Sequence, residues 1–134
     1  MKFDLLISNG TVITEQGQIY CDLAINDGHI AAIGHHMPDM AIEHISANGL
    51  IVMPGLVDPH CHFREPGPEE EEDYYTGTKA AAAGGITTVL EQPVDTPPTT
   101  TIKRFSEKLD CVKPKSVVDF ALWAGVVPDN LDEL

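Results

Sequence analysis

Along the first fifty residues, apolar and polar positions alternate with a period of two, in short runs broken by turn residues. Residues 3–8 and 11–14 flank Asn9-Gly10, and residues 19–25 and 29–33 flank Asn26-Asp27-Gly28. Both turns carry residues that tolerate positive φ, so two hairpins are predicted, with residues 42–47 as a fifth strand. The expected product is a small antiparallel sheet, part of a β-sandwich. Alone it would leave edges and one apolar face open, so further strands are expected from elsewhere in a longer chain.

After residue 50 the period changes. Residues 50–57 read as a buried strand interrupted by Pro54-Gly55, and residues 69–83 as a helix entered through Pro66-Gly67-Pro68. The acidic run from Glu69 to Asp73 falls in the first turns of that helix, where the dipole favours carboxylates. Gly77 and the alanines at 80–83 give it a small-residue surface, and Gly84-Gly85 end it. Residues 86–90 form a β-branched strand with Glu91 at its C-terminal end. A helix over 101–112 places Ile102, Phe105, Leu109 and Val112 on one face, residues 117–124 form a third strand, and Pro128-Asp129-Asn130 opens another helix.

Strand and helix in alternation predict an α/β fold with a parallel sheet, either doubly wound or the start of a (β/α)8 barrel. No glycine-rich phosphate loop follows the first of these strands, which weakens the nucleotide-binding alternative. His60, His62, Arg64 and Glu91 gather at the C-terminal ends of the first two strands, where a barrel carries its chemistry. A barrel needs about 250 residues, so the chain reads as truncated. Residues 1–50 are expected to be the N-terminal part of the sandwich and residues 51–134 the first β/α units of an incomplete barrel.

The candidate chemistry sits in the run LIVMPGLVDPHCHFREPG, residues 50–67. Two histidines one residue apart on a strand share a face at about 7 Å between Cα atoms. That spacing lets both rings converge on one ion at roughly 2.0–2.1 Å. Cys61 faces the other way. Asp58, in line with the pair, either orients a ligand imidazole from behind or caps the strand end; both roles stay open. A catalytic zinc site needs at least three protein ligands, so His60 and His62 alone are expected to bind zinc no better than micromolar and to support no turnover.

Charge and composition narrow the partners. With 21 acidic against 8 basic residues the net charge is −13, which argues against nucleic acid or an anionic membrane surface. No apolar run approaches the ~18 residues of a membrane span, and no signal peptide is evident. Cys21, Cys61 and Cys111 are odd in number and far apart, which suits free thiols in a reducing cytoplasm.

Three segments, PGLVDPHCHFREPG, DYYTGTKAAAAGGITTVLEQP and VDFALWAGVVPDNL, resemble the N-terminal part of the cyclic amidohydrolases: allantoinases, dihydroorotases and hydantoinases or dihydropyrimidinases. The resemblance covers essentially the whole chain. It implies a (β/α)8 barrel with a companion sandwich built from both chain ends, one or two divalent ions, usually zinc, and metal-assisted hydrolysis of a cyclic amide C–N bond. His60 and His62 match the first pair of metal ligands. The remaining ones, a carboxylated bridging lysine, two histidines and an aspartate, belong to later strands. Lys79, Lys103, Lys108, Lys113 and Lys115 fall on predicted helices or beside Pro114, not at an inner strand end.

Arg64 matches the dihydroorotase pattern H-x-H-x-R, in which the arginine grips a substrate carboxylate; the bland alternative is a salt bridge to Glu65 or to Glu69–Glu72. The loop Glu91-Gln92-Pro93-Val94-Asp95-Thr96 is closer to the allantoinase pattern, although Gln92 and Asp95 depart from it. The resemblance therefore favours an allantoinase-type enzyme of purine metabolism, cytoplasmic, homo-oligomeric at full length, acting on a small cyclic amide or ureide. A dihydroorotase, a hydantoinase and a non-catalytic homologue are the alternatives.

Overall fold

The computed structural model describes residues 2–38 and 40–133, which fall into two units, Met1–Pro54 and Gly55–Leu134. The first is a five-stranded sheet of β1 (Phe3–Thr14), β2 (Gly17–Asn26), β3 (His29–Gly34), β4 (Ala41–Ser46) and β5 (Ile51–Val52). Its order is β3-β2-β1-β4, with β5 also pairing β1. The sheet is mixed, not antiparallel as expected. β2 runs antiparallel to both neighbours, whereas β4 and β5 run parallel to β1.

The predicted Asn9-Gly10 hairpin is a bulge inside one long strand, where the register to β2 slips between Ile7 and Gly10. Asn9 takes a positive φ of 59°. Its amide donates to the Asp22 carboxylate at 2.8 Å, so the local kink is satisfied without reversing the chain. Gly10 is required here because a Cβ would lie 2.7 Å from a Val52 methyl. The chain reverses later, at Glu15-Gln16, where Thr14 pairs with Gly17. The second hairpin stands where expected, with Asp27 and Gly28 both at positive φ. Val12, Cys21 and Leu23 form the buried cluster of this sheet, while Ile30, Ile33, Ile42 and Ile45 are exposed.

Asp22 ties the unit together, accepting the amides of Asn9 and, at 2.9 Å, Met37. These bonds, the Asn9 one foremost, hold its carboxyl below the usual range. Asp22→Ala leaves two amides without an acceptor and is expected to cost about 1–3 kcal/mol in urea unfolding. A depressed carboxyl stabilises the fold above its ordinary pKa and ceases to do so as it protonates. The difference between variant and parent should therefore shrink as pH falls through and below the normal carboxylate range.

The second unit runs β6 (Leu56–Cys61), α1 (Tyr74–Ala83), β7 (Ile86–Glu91), α2 (Ile102–Val112), β8 (Asp119–Leu122). The strands lie in the order β6-β7-β8, all parallel, so this unit is α/β with successive β/α repeats. Residues 50–57, read as one buried strand, are two: Ile51–Val52 joins the first sheet, and β6 begins after Pro54-Gly55.

Helix α1 is shorter than expected. Glu69–Asp73 precede it, because Asp73 is its N-cap and accepts the Thr76 amide at 2.6 Å. That bond and one from the Thr76 hydroxyl lower the Asp73 pKa. The small-residue surface is real: a Cβ on Gly77 would lie 2.4 Å from the Phe63 ring, so the helix sits hard against the segment after β6. Among the described residues no helix opens at Pro128; residues 128–132 form turns in which the Asn130 side chain accepts the Val127 amide and donates to Thr100 and Gly125 carbonyls. Phe63, Tyr74, Ala81, Val89 and Val112 form the core, with Cys61, Phe120 and Leu122 packed on it. The three cysteines are free, and among the described residues no helix is long and apolar enough to cross a membrane.

Candidate metal centre

The segment Asp58-Pro59-His60 shapes the end of β6. Pro59 has no amide to give to a ladder, and the pairing with β7 slips between Asp58 and Cys61. The His60 amide is turned onto the Asp58 carboxylate at 3.0 Å. Asp58 thus accepts a backbone amide two residues further on, inside β6. Past the bulge the ladder resumes, with the Gln92 amide on the Cys61 carbonyl at 3.0 Å.

This arrangement brings the His60 and His62 rings to one side. Their Nε2 atoms stand 3.2 Å apart and their centroids 5.1 Å apart. Two nitrogen ligands at about 2.0–2.1 Å from a tetrahedral ion are roughly 3.3 Å from each other. The two rings are hydrogen-bonded to each other at this separation, which is also of the size at which two imidazoles bind one zinc-type ion. Among the described residues no third histidine, cysteine or carboxylate completes a three-ligand set. Cys61, between the two, points into the core. Burial foremost, with the Glu91 and Asp58 charges, pushes its thiol up to about 12.

Arg64 follows the pair, half exposed, with its Nε 3.4 Å from Glu71 Oε2. An exposed pair of this kind contributes little stability, and the guanidinium is free to exchange it for another carboxylate. Trp123, just beyond β8, donates its indole N–H to the Pro59 carbonyl at 3.3 Å. Its half-exposed ring therefore stands on the same strand-end edge as His60.

A second group of charges lies beneath. Glu91, the last residue of β7, is fully buried, and Lys108 of α2 is 2% exposed. Lys108 Nζ lies 2.9 Å from Glu91 and 2.6 Å from Asp95, and Asp95 also accepts the Thr99 hydroxyl at 2.6 Å. Asp95 is thus consumed inside the protein. Burial raises the Glu91 pKa to about 7, against the pull of Lys108 and of the Phe63 amide. Tyr74, buried beside Glu91, has its pKa raised as well, first by burial and then by that carboxylate. Helical spacing held the missed signal: Lys108 is three residues after Phe105 and four before Val112, on the apolar stripe, while Ile102 is exposed.

A family model described as "Amidohydrolase family" matches residues 51–132. An allantoinase of Escherichia coli O1:K1 / APEC is 47% identical over all of this chain, which covers 30% of that protein. The solved L-hydantoinase (dihydropyrimidinase) of Arthrobacter aurescens superposes with a TM-score of 0.90 at 37% identity, over 98% of this chain and 30% of that one. A D-hydantoinase from Bacillus sp. AR9 gives 0.73 at 27% identity, over 96% and 28%. The chain therefore spans about 30% of the length of these relatives.

Proposed function

Because this chain belongs to the amidohydrolase family, we propose that it supplies the opening strands of a (β/α)8 hydrolase that opens a cyclic amide, with an allantoin-type ureide as substrate. The observation that carries this reading is the 3.2 Å separation of the His60 and His62 Nε2 atoms at the end of a parallel strand. These imidazoles would hold one or two divalent ions, zinc by the nature of the nitrogen donors, together with ligands from later strands. When bound, such an ion lowers the pKa of water toward 7 and polarises an amide carbonyl.

The chain's own groups do the rest of the work on this side of the site. Asp58 fixes the backbone at His60, and the bulge keeps both rings on one side. Arg64 is placed to bind a carboxylate or ureide oxygen of the substrate by exchanging its exposed Glu71 partner. The whole enzyme is proposed to be cytoplasmic, as the spaced free thiols suit, and homo-oligomeric. The similarity to the L-hydantoinase structure supports a second reading, hydantoin-type ring opening.

Turnover assays of the zinc-loaded full-length protein on allantoin, hydantoin and dihydroorotate decide between them. Allantoin is expected to give the highest kcat/KM. A higher value on hydantoin or dihydroorotate replaces the substrate assignment, and turnover of none of the three, with zinc bound, favours a non-catalytic homologue.

A further inference from the structure

The ladder of the second sheet runs one step past its paired strands. Cys61, Glu91 and Leu122 stand in register across β6, β7 and β8. All three face the helices: Cys61 and Leu122 pack on the core, and Glu91 meets Lys108 of α2 at 2.9 Å. Beyond them the Gln92 amide donates to the Cys61 carbonyl at 3.0 Å, and the Trp123 amide to the Glu91 carbonyl at 2.9 Å. These are equivalent bonds of a parallel ladder, so the register carries on. His62, Gln92 and Trp123 form the next row, and strand alternation turns that row to the face opposite the helices.

Two side chains of this row are left open. Trp123 is 48% exposed, and its indole N–H donates to the Pro59 carbonyl, two strands away, at 3.3 Å. Two strand spacings are roughly 10 Å, so the indole reaches across the end of β7 to the peptide that leads into His60. Gln92 is half-buried, and among the described residues none hydrogen-bonds its carboxamide. A hydantoin ring is flat, with weakly polar faces and a polar rim, and an indole face suits it. Allantoin is that ring with a ureido tail. The tail sets N–H donors beside a carbonyl acceptor, which a carboxamide matches donor to acceptor and acceptor to donor.

We propose that Trp123 and Gln92 contact the substrate beside the imidazole pair, the indole taking the face of its ring and the Gln92 carboxamide its ureido tail. Gln92 thereby selects allantoin over hydantoin, which has the ring without the tail. This inference rests on the allantoin-type reading above.

The test is kcat and KM of the zinc-loaded full-length protein on allantoin, with hydantoin as second substrate or competing inhibitor and metal content measured on every variant. Gln92→Met is expected to raise the KM for allantoin about tenfold, the worth of one or two hydrogen bonds. Its affinity for hydantoin should stay at the parent value, a split that a merely structural role would not produce. Trp123→Ala is expected to weaken both ligands by a similar factor, because both carry the ring, and Trp123→Phe to restore part of the loss. A second readout needs no turnover, since Trp123 is the one tryptophan of these 134 residues. Allantoin added to the metal-stripped protein is expected to quench the emission that the parent has and Trp123→Phe lacks. If Trp123→Ala loses its metal, Trp123→Phe and the emission decide. An unchanged allantoin KM in Gln92→Met, or an equal loss on both ligands, overturns the ureido contact. Emission that ignores allantoin overturns the ring contact. A parent that does not turn over allantoin overturns the allantoin reading and this inference with it.

Discussion

In the full-length zinc hydrolase proposed above, replacing His60 with alanine is expected to abolish bound zinc and turnover together. Of the two rings that converge, with Nε2 atoms 3.2 Å apart, the substitution leaves one. A site that depends on three or more ligands cannot spare a member without losing both its ion and the activated water it supplies. The loss should exceed the roughly 10–100-fold typical of residues standing behind the ligands. His62→Ala should behave the same way. Cys61→Ala is the control on the same strand: its side chain points into the core and its thiol is pushed up to about 12. It should retain full metal content, measured by metal analysis after dialysis. Stoichiometric zinc in His60→Ala would remove this imidazole from the metal site.

The convergence of the two histidines was legible from strand alternation, although the ladder slips between Asp58 and Cys61 and His62 falls one residue past β6. The parallel repeat was legible for a similar reason, since the Ile86–Glu91 run and the apolar stripe of α2 carry unambiguous periods. Elements whose form depends on a distant partner were not. Asn9-Gly10 has the composition of a hairpin turn, and only the Asp22 carboxylate, thirteen residues away, makes it a bulge. The acidic run before α1 has the composition of a first helical turn, yet Asp73 capping Thr76 starts the helix after it. β4 was expected to extend an antiparallel sheet, and Ile51–Val52 to belong to a buried strand of the second unit, because nothing in a strand's own pattern states which neighbour it joins or in which direction. Lys108 was placed on its helix correctly, but a lysine reads as solvated until two carboxylates from another segment are found around it.

Lys108→Met is expected to destabilise the second unit by about 3–5 kcal/mol, the usual cost of removing one partner of a buried pair. Met nearly matches the lysine stem in volume, so packing is largely kept. What changes is that Glu91 and Asp95 face each other with no cation between them. The pH dependence separates this cause from a packing defect. In the parent, burial holds the Glu91 pKa near 7, above its ordinary value of 4.5. Between those limits the folded state keeps a proton that the unfolded chain has released, so stability falls as pH rises through the window and levels off above it. For a single group the slope cannot exceed about 1.36 kcal/mol per pH unit. Removing the ammonium takes away the main influence opposing burial. The Glu91 pKa then rises further, and in Lys108→Met the decline should continue to higher pH than in the parent. Glu91→Gln should abolish the corresponding slope, because it leaves Lys108 and Asp95 as a balanced pair. Urea unfolding from pH 5 to 9 reads all three. A loss in Lys108→Met that is the same at every pH would assign it to packing alone.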